Sequence, residues 1–173
     1  MHSHLNSFVT ADAKKCVGCR SCEVACAVAH SKKEIKTVGN MDVPIMSRLY
    51  LVKTPEVSVP VQCRNCEDAL CLRSCPVSAI KKQGNRIVID ETNCIGCKSC
   101  ILVCPFGAIE LITVNNTVVA SKCDLCSERS QGPACVEACP HNALKYVADI
   151  GRDQSERRIA AAKRLAEVKE KYI

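Results

Sequence analysis

The chain has 173 residues, of which 16 are cysteine, and its formal net charge is +6. Cysteine at this density indicates either a disulfide scaffold or a set of metal sites, and a disulfide scaffold requires an oxidising compartment. Residues 1–15 contain no continuous apolar segment and no twin arginine, and no run of 18 apolar residues occurs, so we expect a cytoplasmic location, reduced thiols and no membrane span.

The first elements are a strand, a cysteine motif and a helix. Residues 8–11 are predicted to form a strand that leads into the motif C-x2-C-x2-C-x3-C. No proline follows Cys26, so the helix that starts near Arg20 should continue to His30. Residues 31–44 lack periodicity and are either solvated filler or a docking loop. Residues 48–53 and 57–61 are predicted to pair as an antiparallel hairpin.

Three further cysteine motifs follow, each ending in C-P-x-x-A and then isoleucine or leucine. Their spacings are C-x2-C-x4-C-x3-C, C-x2-C-x2-C-x3-C and C-x2-C-x8-C-x3-C. The proline should end a short helix, and the apolar residues after it should start a strand. Hairpins are predicted around the turns at Gly84 and at Asn115, the second joining residues 111–114 to 118–120.

The sequence contains an internal repeat. Residues 15–22 (KCVGCRSC) match residues 93–100 (NCIGCKSC) almost position for position. Gly18 and Gly96, at equivalent places, would allow the backbone to turn tightly and bring its N–H groups toward the thiols.

Residues 152–173 contain no glycine, proline or cysteine and are predicted to form a terminal helix. Glu167 and Lys171, like Asp153 and Arg157, stand in the favourable i,i+4 order. Apolar residues follow one broad face of this helix. The helix either packs on its own domain or reaches a partner subunit or a second copy of the complex.

The cysteine spacing in the first and third motifs is typical of ligands to cubane iron–sulfur clusters, and four thiolates hold one [4Fe–4S] cluster. Sixteen cysteines therefore predict four clusters. Each oxidised cluster with its thiolates carries about −2, which brings the loaded protein from +6 to about −2 and removes the argument for nucleic-acid binding. Arg20, Arg64 and Lys98 lie between ligands, where they either favour the reduced cluster or are simply solvated. Zinc is the alternative occupant of C-x2-C pairs.

In two-cluster ferredoxins each cluster takes three cysteines from one motif and the fourth from another. Eighteen residues separate Cys75 from Cys94, and eighteen also separate Cys104 from Cys123, so spacing alone leaves the pairing of motifs open.

The run from Cys16 to Cys26, the expanded second motif with Pro76, and the Gly132-Pro133-Ala134-Cys135 ending resemble one family. It comprises the polyferredoxin electron-transfer subunits of molybdenum or tungsten oxidoreductases and their hydrogenase relatives, and the closest likeness is to the HycB/HydN type. The resemblance covers roughly residues 7–147.

The resemblance implies an α+β fold of two ferredoxin-like modules, one inserted in the other, plus a C-terminal helix. Residues 1–55 and 111–150 would form the split module, residues 56–110 the inserted one, and residues 151–173 the helical tail. It also implies four ligand sets: Cys16, Cys19, Cys22 and Cys139; Cys26, Cys123, Cys126 and Cys135; Cys63, Cys66, Cys71 and Cys104; and Cys75, Cys94, Cys97 and Cys100.

The function implied is an electron-transfer subunit without catalytic residues, whose partners are formate dehydrogenase-like or hydrogenase-like subunits and another polyferredoxin subunit. A freely diffusing ferredoxin and a maturation factor for such a complex are the alternatives.

The histidines are interpreted as surface or end-cap residues, because the thiols already complete the ligand sets. They are His2, His4, His30 and His141.

Overall fold

The computed structural model describes residues 6–31, 35, 37–40 and 46–171. Within these residues the chain forms five α-helices, one 3-10 turn (Val38–Asn40) and eight short strands. The helices are α1 (Ser21–Ala29), α2 (Leu70–Arg73), α3 (Ser99–Val103), α4 (Ala134–Glu137) and α5 (Ile150–Lys171). The strands are β1 (Phe8–Ala11), β2 (Leu49–Lys53), β3 (Ser58–Gln62), β4 (Ile80–Gln83), β5 (Arg86–Ile89), β6 (Glu110–Val114), β7 (Thr117–Ser121) and β8 (Leu144–Val147).

The described strands form four two-stranded antiparallel sheets. Three are hairpins, β2–β3, β4–β5 and β6–β7, as predicted from the turn residues. The fourth joins β1 to β8, with Val9 opposite Tyr146, and so links the two ends of the cysteine-rich region. This mixture of small sheets and helices confirms the predicted α+β class.

The four helices near the cysteine motifs end as the sequence predicts. Helices α2, α3 and α4 span only four or five residues and stop before Pro76, Pro105 and Pro140. Helix α1 meets no proline and continues to Ala29, where the His30 N–H closes its last turn by donating to the Cys26 carbonyl at 3.2 Å.

Two apolar clusters form the core, and thiols make up much of both. The first joins Val9, Leu49 and Leu144 to the thiols Cys22, Cys26, Cys123 and Cys135. The second joins Ile80, Ile87 and Ile109 to Cys100. Because so few large side chains are present, sulfur atoms supply much of the packing in each core.

The repeated cysteine loops each rest on a hairpin. Gly18 has a φ of +73° and faces Ser58 on β3, and Gly96 has a φ of +64° and faces Val118 on β7. A Cβ atom at Gly18 would lie 2.7 Å from the Ser58 Oγ, and one at Gly96 would lie 2.6 Å from the Val118 carbonyl oxygen. The two glycines therefore permit close contact as well as the left-handed backbone.

Helix α5 begins at Ile150, two residues before the predicted start. The Asp149 side chain accepts a hydrogen bond from the Arg152 N–H at 3.1 Å, which caps the first turn and allows Gly151 to be helical. An ion pair between Lys145 and Asp153 ties the helix to β8. Beyond Asp153 the described side chains, up to residue 166, are all exposed.

Some sequence predictions concern residues that the structure leaves undescribed. They are His2, His4, much of the loop 31–44, and the end of the terminal helix at Tyr172 and Ile173. Among the described helices, none combines the length and the apolar character that crossing a membrane would demand.

Candidate metal centres

The structure brings three thiols of the first motif together with one of the fourth. Cys16, Cys19, Cys22 and Cys139 line one cavity, whose apolar wall includes Leu51, Pro60 and Leu144. The pairing of β1 with β8 accounts for this juxtaposition, because the first motif directly follows β1 and Cys139 directly precedes β8.

A similar exchange of cysteines occurs between the second and third motifs, where α2 packs on α3. One cavity is lined by Cys63, Cys66, Cys71 and Cys104. Another cavity is lined by Cys75, Cys94, Cys97 and Cys100. In each, three thiols of one motif meet the last thiol of the other, which is the sharing that two-cluster ferredoxins use.

The remaining four cysteines, Cys26, Cys123, Cys126 and Cys135, are all buried. Burial, together with the neighbouring thiols of Cys26, Cys126 and Cys22, raises the pKa of Cys135 to about 12. Burial also raises the pKa of Cys123, again with contributions from Cys135 and Cys26. Cys26, Cys123 and Cys135 lie together in the first apolar cluster, and α1, which carries Cys26, packs on α4, which carries Cys135.

Backbone N–H groups point at five of the sulfur atoms. The N–H groups of Ala79 and Ala143 donate to the Sγ atoms of Cys75 and Cys139 at 3.3 and 3.2 Å, in each case from four residues further along. Both alanine side chains are buried beside the thiols, which explains why these two C-P-x-x-A repeats have a small residue there. The other donors are the N–H groups of Arg48 to Cys26, Asn65 to Cys63 and Ala120 to Cys94. Such bonds favour a charged sulfur.

The exposed cysteines occupy equivalent positions in the repeat. Cys19 Sγ lies 3.4 Å from the Ser21 hydroxyl, and Cys97 Sγ lies 3.5 Å from the Ser99 hydroxyl. The serine hydroxyl lowers the pKa of each thiol. The first and third motifs thus each bring one cysteine to the surface.

Sequence reasoning missed an ionic network beside Cys26. Asp124 accepts hydrogen bonds from His30 Nε2 and from an Arg48 guanidinium nitrogen, each at 2.9 Å, and from the Cys126 N–H at 3.0 Å. Although burial opposes the charged imidazole, the contacts with Asp124 and Cys26 raise the pKa of His30 to about 10. His30 does cap α1, as predicted, but it also belongs to a half-buried ion pair.

The cations that the sequence indicated lie on the surface, whereas an unexpected one is buried. Arg20, Arg64 and Lys98 are exposed, which agrees with the solvated alternative. Lys122 is only 3% exposed, and no carboxylate pairs with it among the residues described. A buried cation of this kind requires nearby negative charge.

Groups of four thiols fit two occupants, a zinc ion or a cubane iron–sulfur cluster. The buried cation and the N–H donors at sulfur fit either, because both complexes are anionic. The C-x2-C-x2-C loops, with a fourth thiol from another motif, favour the cubane. A cubane would be held at each place by the four thiols that converge there.

The family comparison supports iron. The 4Fe-4S dicluster domain family matches residues 56–149. YsaA of Escherichia coli K12 is 46% identical over 153 residues, covering 88% of this chain and 96% of that protein. The electron transport protein HydN of the same strain is 39% identical over 153 residues, covering 81% and 87%. Hydrogenase-4 component A of that strain is 36% identical over 197 residues, covering 94% and 91%.

Proposed function

Because this chain belongs to the 4Fe-4S dicluster family of iron–sulfur electron transport proteins, we propose that it is a four-cluster electron-transfer subunit. It relays single electrons between the catalytic subunits of a cytoplasmic redox complex, namely a formate dehydrogenase and a hydrogenase. Catalysis belongs to those partners, and the cytoplasm suits sixteen unpaired thiols.

The observation that carries the proposal is that, in three cavities, three thiols of one motif meet the last thiol of another. In this proposal the first cluster is held by Cys16, Cys19, Cys22 and Cys139. The second is held by Cys26, Cys123, Cys126 and Cys135. The third is held by Cys63, Cys66, Cys71 and Cys104. The fourth is held by Cys75, Cys94, Cys97 and Cys100.

This assignment makes the chain two nested modules. The first and fourth motifs form a split module, residues 1–55 and 111–150, and the second and third motifs form the module inserted between them, residues 56–110. Helix α5 then stands outside both modules as a tail that joins the complex.

The neighbouring thiols support a linear order of the clusters. Cys22 of the first set lies in one core with Cys123 and Cys135 of the second, and Cys63 of the third set packs against that core. The second and third clusters would therefore meet where the modules meet. A [4Fe–4S] cluster, when bound, supplies a carrier for one electron. The protein's task is to fix the distances between carriers and to exclude water from the inner ones.

The surface cysteines mark where electrons enter and leave. Cys19 belongs to the first set and Cys97 to the fourth, and the exposed aliphatic side chains Val17 and Ile95 lie beside them, 58% and 63% exposed. Each end of the path would therefore meet a partner through a small apolar contact next to a cluster. The partners proposed are the two catalytic subunits, with a further polyferredoxin subunit.

The test is anaerobic purification of the full chain from native extract. We expect sixteen iron atoms per chain, reduced-cluster signals in electron paramagnetic resonance, and a fixed ratio of the chain to catalytic subunits. Zinc in place of iron, or fewer than sixteen iron atoms after full loading, would refute the four-cluster assignment. A monomer would favour a diffusing ferredoxin, and association with immature enzyme alone would favour a maturation factor.

The ligand sets are tested by single serine variants of the same protein. Cys139→Ser should alter the signal of one cluster, the same one that Cys16→Ser alters, because both residues belong to the first set. Cys104→Ser should instead alter the cluster that Cys63→Ser alters. If Cys139→Ser and Cys16→Ser changed different clusters, the pairing of the first and fourth motifs would be wrong.

A further inference from the structure

Lys122 is a buried cation at the junction between the two halves of the cysteine framework. Its side chain extends from the residue before Cys123, and its Nζ donates to the carbonyl oxygen of Cys123 at 3.1 Å and to that of Ile87. Ile87 belongs to the core formed by the second and third motifs, whereas Cys123 belongs to the core formed by the first and fourth. The ammonium group therefore bridges the two.

Carbonyl oxygens alone leave this charge uncompensated. Transfer of an ammonium group into a protein interior is strongly unfavourable unless an anion accompanies it. Among the residues that the structure describes, no carboxylate forms an ion pair with Lys122, although exposed lysines such as Lys81 and Lys145 have such partners. The compensating charge must then come from the thiolate sites.

Lys122 contacts the surroundings of two different sets. Cys123, whose carbonyl oxygen accepts from the Lys122 Nζ, belongs to the second set. Cys66 and Cys71, from the third set, pack against the core that contains Ile87, the other acceptor, and the Lys122 charge opposes the rise that burial causes in the pKa of both thiols. The ammonium group thus faces the second and third sites together.

We infer that Lys122 is the shared counter-ion of the second and third clusters. Its charge stabilises the more negative, reduced form of each cluster and so raises the potential of both at the step where an electron passes between modules. This inference rests on the proposed function, because it presupposes a redox cluster at each site. Lys122 is a positioning and tuning residue, and it takes no part in bond making.

Lys98 provides a matched control. It lies one residue after Cys97, much as Lys122 lies one residue before Cys123, but its side chain is exposed. Water and salt screen an exposed charge, whereas a buried charge is screened far less. Removing each charge in turn therefore separates the effect of burial from the effect of proximity along the chain.

The experiment is a potentiometric titration of the four-cluster protein followed by electron paramagnetic resonance, with iron analysis of every sample. Lys122→Gln keeps an N–H donor for the carbonyl groups but removes the charge. For two of the four clusters it should lower the ratio of reduced to oxidised form about tenfold at a fixed potential, equivalent to 59 mV for one electron. Lys122→Arg should restore that ratio, and Lys98→Gln should change it less than about twofold.

The variants decide between the charge and a merely structural role. If Lys122→Gln kept sixteen iron atoms with unchanged potentials, or if Lys122→Gln and Lys122→Arg both lost iron, the counter-ion role would be overturned. If only Lys122→Gln lost iron, the charge would be needed to hold the clusters, which supports the inference. A wild-type protein with fewer than sixteen iron atoms would count against the proposed function instead.

Discussion

The two repeated cysteine loops allow one steric prediction to be worked out in detail. Gly18 and Gly96 each stand between a β-branched residue and a cysteine, and they have nearly the same positive φ. They differ in the atom that an added methyl group would meet. At Gly18 that atom is the Ser58 hydroxyl oxygen, which can rotate away, and at Gly96 it is the Val118 carbonyl oxygen, which is fixed in β7.

Alanine at either position carries the cost of a left-handed backbone, about 1–2 kcal/mol. Gly84→Ala isolates this cost, because Gly84 has a φ of +58° and nothing lies within 4 Å of an added Cβ. Gly96→Ala must also displace Val118, which adds about 1–3 kcal/mol for an overpacked contact. The displacement would move β7, whose Ala120 N–H donates to Cys94 Sγ at 3.3 Å.

The expected order of stability is therefore Gly84→Ala first, Gly18→Ala close behind, and Gly96→Ala lowest. A protein of this size loses about 2–4 °C in its unfolding midpoint per kcal/mol. Gly96→Ala should then unfold roughly 2–12 °C below Gly84→Ala, the range that its additional contact implies. Adding Ser58→Ala to Gly18→Ala should bring that variant level with Gly84→Ala.

The assay is the loss of visible cluster absorbance on heating without oxygen, at one scan rate, because loss of the metal makes unfolding irreversible. Iron analysis before heating establishes that the variants start equally loaded. A Gly96→Ala midpoint equal to that of Gly84→Ala would show that β7 does not press on the loop. A Gly18→Ala midpoint as low as that of Gly96→Ala would refute the distinction between side-chain and backbone contacts.

Three further predictions use the same preparations. Asp124→Asn should cost about 1–3 kcal/mol, because it leaves the half-buried His30 without its carboxylate and leaves Arg48 with Glu91 alone, whereas the exposed Glu156→Gln should shift the midpoint little. Deletion of residues 152–173 should leave sixteen iron atoms in place and reduce co-purification with partners; iron loss would contradict a separate tail. Because each thiolate ligand must give up its proton, and burial raises the pKa of Cys71 to about 11, cluster loss in a pH series should accelerate as the pH falls and should take up protons.

The sequence was sufficient for features set by local chemistry. A proline follows Cys75, Cys104 and Cys139, and it ends each short helix regardless of what that helix packs against. No proline follows Cys26, and α1 continues past it. The hairpins follow from their turn residues in the same way. Several strand ends differ by one residue from the prediction, and α5 starts two residues early, because Asp149 caps the helix and Gly151 was interpreted as a boundary.

Features that depend on distant residues were beyond local reasoning. Asp124 lies 76 positions from Arg48 and 94 from His30, so no spacing rule connects them. Lys122 bonds to a carbonyl 35 positions away and looks like any lysine beside a cysteine. Sequence reasoning weighed Arg20, Arg64 and Lys98 because they stand between ligands, yet burial, which decides the strength of a charge, is a property of the folded chain.

The pairing of the motifs shows how the same limitation applies to the sites. The gaps on either side of the third motif are both eighteen residues long, so loop length does not choose its partner, and it is the meeting of β1 with β8 that brings Cys139 to the cavity that holds Cys16. That sheet has just four residue pairs, too few to be stable alone. The thiols of the first and fourth motifs need this sheet to meet, and under the proposed ligand set the sheet would in turn be stabilised by the cluster, so that metal binding and closure of the fold would be one event.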